Sequence, residues 1–153
     1  MATLNEKQAE LFTDRNWGVI ATIRPDGSPH VTPVWIDYDG EYVLVNSAHG
    51  RTKVINIERD PRATVTVLPA ADQQAGYVMV SGAATLVDEG ALEHINMLAK
   101  KYLGEDKYPL PRPRRAARDH QDPSRTRRRL RRRRRLDAAG AIRGRACAGT
   151  SGR

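Results

Sequence analysis

Two tight-turn signals set between three runs of strand-forming residues constrain this chain more than any other feature. "WGVIATI" (17–23) is followed by "RPDGS", "HVTPVWI" (30–36) by "DYDGE", and "YVLVNS" (42–47) ends the series. Pro25, Asp26 and Gly27 form the first turn signal, and Asp39-Gly40 is the usual hairpin pair. Reversals this short join antiparallel neighbours, because a parallel pair needs a crossover of a dozen or more residues. Pro33 lies inside the second run and cannot donate a ladder hydrogen bond. It marks a bulge, an edge, or a place where something else approaches the backbone.

The remaining elements follow from changes of period. "AHGRTKVINIERDP" suits a short helix over Thr52–Arg59, stopped by Pro61. "ATVTVL" (63–68) and "YVMVSGAATLV" (77–87) read as a fourth and fifth strand, the latter with a bulge at Gly82. "DEGALEHINMLAKKYL" reads as a helix with Leu92, Ile95, Leu98 and Leu103 on one side. Lys100 and Lys101 sit near its C-terminal end, where the helix dipole favours cations. Upstream, "TLNEKQAELF" forms a short amphipathic helix in which Thr3 and Glu6 have capping-box spacing. Hairpin-linked strands with short helices predict an α+β fold built on a small antiparallel barrel.

The formal net charge of +8 is unevenly spread. Residues 1–109 hold 10 Lys+Arg against 15 Asp+Glu, whereas 110–153 hold 16 against 3. The body is mildly acidic and only the tail is basic. The one cysteine, Cys147, excludes a disulfide framework within the chain and fits a reducing compartment. The N-terminal segment lacks the apolar run of a signal peptide, and no stretch approaches the ~20 apolar residues of a membrane helix. The expectation is a cytoplasmic protein without membrane partners.

No catalytic constellation is evident, so no catalytic residue is assigned. Ser28, Ser47 and Ser81 lack a G-x-S-x-G setting. His30, His49 and His94 are not spaced as metal ligands, and no metal is expected. Phosphate-binding glycine motifs are absent. The segment with chemical character is "NSAHGRTKVINIERDP", where a strand ends at Asn46-Ser47, a glycine loop follows and a helix opens at "RTK". Amides at a helix start attract an anion. Arg51 adds a forked charge, Thr52 a hydroxyl and Lys53 a point charge, which together make a phosphate cradle. An ordinary solvated helix start with basic residues accounts for the same pattern.

Three pieces in order, "ATIRPDGSPHVTPVW", "VNSAHGRTKVINIERDPRATV" and "VSGAATLV", carry a family resemblance. Over about Leu11 to Tyr108 the chain resembles the pyridoxamine 5′-phosphate oxidase-like split β-barrel superfamily of flavin and deazaflavin proteins. Within it, the branch that uses coenzyme F420 is the most similar. The resemblance implies a split antiparallel barrel, a homodimer, and a cofactor in grooves at the subunit interface. Residues matching Thr32, Pro33, Val34 and Trp35 lie along the cofactor ring, with Asn46 and Ser47 contributed by the next strand. Arg51, Thr52 and Lys53 match the positions that meet the phosphate. Trp35 and Tyr77 either line the pocket or pack the barrel. The implied activity is hydride transfer between F420, or alternatively FMN, and a small organic substrate, with binding and orientation supplied by the protein. A non-catalytic cofactor-binding protein is the other class on the same barrel.

From about Leu110 the character changes, and Arg125–Arg135 alone carries nine arginines. A basic arm for nucleic acid, a solubilising disordered tail and a shifted reading frame all account for it. The mix of Arg, Ala, Gly and Pro is that of GC-rich DNA read out of frame, and base-stacking aromatics are missing, so a frame shift is the favoured explanation. It predicts that the barrel's C-terminal strand is lost, leaving edges unpaired and lowering stability and activity.

Overall fold

The turn residues act as their chemistry requires. Asp26 Oδ1 accepts from the Ser28 amide at 2.9 Å and its hydroxyl at 2.7 Å, while Gly27 takes a φ of +83°. Asp39 Oδ1 accepts from the amides of Glu41 and Tyr42 at 3.0 and 2.7 Å, beside Gly40 at a φ of +101°. The computed structural model describes residues 4–71, 76–109, 139–145 and 148–149. In chain order these form α1 (Glu6–Thr13), β1 (Trp17–Ile23), β2 (Pro29–Tyr38), β3 (Tyr42–Ala48), α2 (Thr52–Arg59), β4 (Arg62–Val67) and β5 (Val78–Val87). They continue with α3 (Ala91–Leu103), β6 (Ala139–Arg145) and β7 (Ala148–Gly149).

The strands follow the order β4-β1-β2-β3-β6-β5, and β5 pairs back onto β4 to close an antiparallel barrel. β1 and β2 pair along their whole overlap, from Trp17↔Trp35 to Ile23↔Pro29. β2 and β3 pair only over Ile36–Tyr38 and Val43–Val45. Residues 29–35 of β2 therefore form an edge on the side of β3, and this seam is the split in the barrel. Pro33 falls in that unpaired length, where a missing N–H is tolerated. The period-2 pattern buries Ile20, Ile36, Val45 and Val67 in the interior, with Phe12 of α1 and Val54 of α2 against them.

Four expectations are corrected. The cap of α1 is Asn5, which exchanges a capping-box pair of hydrogen bonds with Gln8; Asn5 is an equally good cap and its N3 partner can reciprocate. Gly82 is not a bulge: the β4–β5 register runs unbroken through Ala63↔Gly82, and Gly82 lines a small apolar cavity together with Ile20 and Val65. α3 buries Ala91, His94, Leu98, Ala99 and Tyr102, while Leu92 and Leu103 are exposed, because these five share one face at helical spacing and Leu92 and Leu103 fall off it. The barrel also does not lack a strand between β3 and β5. Ala139–Arg145 fills that place, pairing with β3 from Tyr42↔Arg145 to Ala48↔Ala139 and with β5 over Ala84–Val87. Backbone pairing on both sides holds a segment with no run of strand formers, and Ile142 is buried in the core. The junction at Leu110 and the arginine run lie outside the described residues.

Gly18 is a packing requirement of the β1–β2 hairpin. A Cβ there would stand 2.5 Å from Ile36 Cγ2, and Ile36 is fully buried. Gly18→Ala is expected to cost about 1–3 kcal/mol through overpacking. A chemical denaturation midpoint unchanged by the substitution would refute this.

Candidate functional site

The cradle is built where β3 gives way to α2. Val43, Val45 and Ser47 alternate inward along β3, and the chain then turns at Gly50 with a φ of +79°. Arg51 is the N-cap residue of α2 and makes no side-chain cap, so the first-turn amides have no side-chain acceptor among the described residues. Arg51 and Thr52 are exposed. Two side chains anchor this turn to α3 and the residues just before it. Asn46 Nδ2 donates to the Ala91 carbonyl at 2.8 Å and lies 3.4 Å from His94 Nδ1, and His49 Nε2 lies 2.7 Å from Asp88 Oδ1.

Lys53 is the unusual group. It is 7% exposed, yet the one contact of its Nζ among the described residues is the Thr32 hydroxyl at 3.4 Å. Burial, and then the charge of Arg51, push its ammonium below the ordinary lysine range. Ser47 is 6% exposed, and its Oγ has no hydrogen-bond partner among the described residues. A buried cation with no counter-charge among the described residues, at a helix start with no side-chain cap among them, suits an anion rich in acceptor oxygens. A phosphate group fits that donor set.

The sequence-selected residues separate into two groups. Thr32 and Lys53 meet, with Arg51 and Thr52 at the same helix start and Ser47 on the inward face of β3. Val34 is buried in the core, and Pro33 is exposed on the outer side of β2. Trp35 also points outward, stacked on Tyr102 at 5.1 Å and 3° and flanked edge-on by Trp17 and Tyr108. Tyr77 is 40% exposed just before β5. The Asn46 side chain is engaged by α3.

Two sets of polar contacts are not read from the sequence, one beneath the cradle and one at the far end of β2. Thr22 and Asn56 form a buried hydrogen bond beneath α2. Lys101 is more than a dipole partner: its Nζ donates to the carbonyls of Phe12 at 2.6 Å and Ile36 at 2.8 Å. The available signal was the i, i+3 spacing of Lys53 and Asn56, two polar residues on a helix face that also carries Ile57.

The pyridoxamine 5′-phosphate oxidase family model matches residues 4–131. The chain belongs to this family. Flavin or deazaflavin binding and oxidoreductase members are features of the family. Solved structures repeat the fold. An F420 reductase is 22% identical, with a TM-score of 0.67 over 94% of this chain and 96% of its own. General stress protein 26 of Bacillus anthracis is 19% identical, with a TM-score of 0.59 over 92% of this chain and 87% of its own. HupZ of group A Streptococcus is 17% identical, with a TM-score of 0.58 over 97% of this chain and 96% of its own. No helix among the described residues is long and apolar enough to cross a membrane.

Proposed function

We propose that this chain is a cytoplasmic oxidoreductase that transfers a hydride from reduced coenzyme F420 to a small organic substrate. The observation that carries the reading is the buried Lys53 ammonium beside Thr32 at the start of α2, with no counter-charge among the described residues. Arg51, Thr52 and Lys53 hold the phosphate, and Thr32 shares the Lys53 ammonium with it. The seam edge of β2, Thr32 to Trp35, runs beside the cofactor ring, and β3 offers the Ser47 hydroxyl, which has no hydrogen-bond partner among the described residues. When bound, the deazaflavin supplies the hydride chemistry; the chain binds, orients and excludes water. FMN is the second reading: the family binds flavins or deazaflavins, and the same phosphate donors serve either.

The working unit of this reading is a homodimer. One outer face of β1, β2, β4 and β5 exposes Trp17 at 58%, Val31 at 56% and Met79 at 37%. Leu68 and Tyr77 extend this apolar face, which is the kind of surface that a second copy covers.

Titration of the full chain with each cofactor tests the function. Saturable quenching of F420 fluorescence, with no FMN retained on purification, is the expected result. A yellow protein carrying FMN transfers the reading to FMN, and failure to bind either cofactor removes both.

A further inference from the structure

α2 caps one end of the barrel, and a buried polar contact fixes it there. Asn56 Nδ2 donates to Thr22 Oγ1 at 3.0 Å, and these residues are 2% and 1% exposed. Asn56 follows Lys53 by three positions, so both lie on the helix face turned to the barrel. Thr22 lies on the inward side of β1, opposite His30 in the β1–β2 ladder, two positions along β2 from Thr32. The Thr22–Asn56 contact and the Thr32–Lys53 contact are thus neighbouring points of one helix–sheet junction.

Two physical points make this pair more than packing. Val54 and Ile57 set which face of α2 meets the barrel, and Arg59 donates to the Ile23 carbonyl at the far end of the helix, but apolar burial is non-directional and leaves the fine rotation beside Lys53 open. A hydrogen bond is directional and does fix it. The rotation matters because burying Lys53 is unfavourable, and a helix free to turn would carry that ammonium to solvent. A matched apolar pair at Thr22 and Asn56 would leave stability nearly unchanged.

We infer that Thr22 and Asn56 are the positioning pair of the anion site. Their hydrogen bond sets the rotation of α2 so that the Lys53 ammonium stays aimed at Thr32 and the anion. They act through Lys53, and the inference rests on the reading of Arg51–Lys53 as a phosphate cradle.

The test compares Thr22→Val, which keeps the shape and removes the hydroxyl, with Thr22→Ser, which keeps the hydroxyl and removes a methyl. Full-length proteins are titrated with F420, FMN and inorganic phosphate, and their melting temperatures are measured alongside. The expected result is an affinity loss of about ten- to a hundredfold in Thr22→Val, by analogy with the outer-shell partners of metal ligands. Thr22→Ser should bind within about threefold of the parent, and Thr22→Val/Asn56→Leu should bind as weakly as Thr22→Val while melting at or above it. Equal affinities in the Val and Ser variants, whether both weak or both unchanged, overturn the positioning role alone. Failure of the parent to bind any of the three anions overturns the cradle reading first, and the pair's role with it.

Discussion

Lys53→Met is expected to raise the stability of the protein and to weaken its phosphate-dependent cofactor binding. Lys53 is buried beside one hydroxyl, with Arg51 as a like charge nearby. Methionine has similar length and removes the desolvated charge, so a gain of about 1 kcal/mol follows, roughly 2–4 °C in Tm for a chain of this size. The same change removes a charge-assisted hydrogen bond to the anion, worth about 1.5–3 kcal/mol, or roughly ten- to a hundredfold in affinity. The pH dependence has a definite sign. In the folded state Lys53 releases its proton below the ordinary value of 10.5, mainly because of burial. Between the folded and unfolded values the unfolded chain binds more protons, so this residue's penalty is full below the folded value and fades as pH rises. The advantage of Lys53→Met over the parent should therefore be largest near neutral pH and shrink toward strongly alkaline pH. Parent affinity for the anion should fall over the same alkaline range, since binding needs the ammonium. A lowered Tm together with unchanged affinity in Lys53→Met would show the residue to be structural.

Tyr102→Phe is expected to be strongly destabilising although it removes one atom. The Tyr102 hydroxyl donates to the Asn16 carbonyl and accepts from the Ile36 amide at 3.2 Å. Asn16 precedes β1, and Ile36 is one position past the last β1–β2 pair, Trp17↔Trp35. The phenol thus satisfies two backbone groups where the ladder ends, at a residue 3% exposed. Phenylalanine leaves both without that partner, at a cost of about 2–3 kcal/mol, or roughly 5–10 °C in Tm. The stack on Trp35 should survive, so near-ultraviolet dichroism stays close to the parent's while the Ile36 amide exchanges faster with solvent. Unchanged exchange at Ile36 would mean that the hydroxyl does not hold the strand end.

The candidate site was legible where its signals are local. "HGRTK" reads as a cradle because Gly50 turns the chain and three successive residues open the helix, all within one turn of α2. Thr32 came from the family resemblance, and its contact with Lys53 bridges β2 and α2 across 21 residues. Thr22, Asn56 and Tyr102 were illegible for the same reason. Each acts through a partner dozens of residues away, and nothing in the neighbouring sequence encodes that partner. Asn46 shows the converse: its position beside the glycine loop is local, but the Ala91 carbonyl across the fold decides where its amide goes.

By itself the sequence determined the two hairpins, the span of α2 and the antiparallel order of the first three strands. Turn residues and side-chain period act over four to eight residues and need no distant partner. The tertiary structure decided which half of β2 stays open beside Pro33, which face of α3 is buried, and which segment stands between β3 and β5. Those outcomes depend on closure. β5 must pair with β4 over its first half and β6 over its second before the barrel has an inside, and only then are a buried lysine and an open seam distinguishable from any other surface.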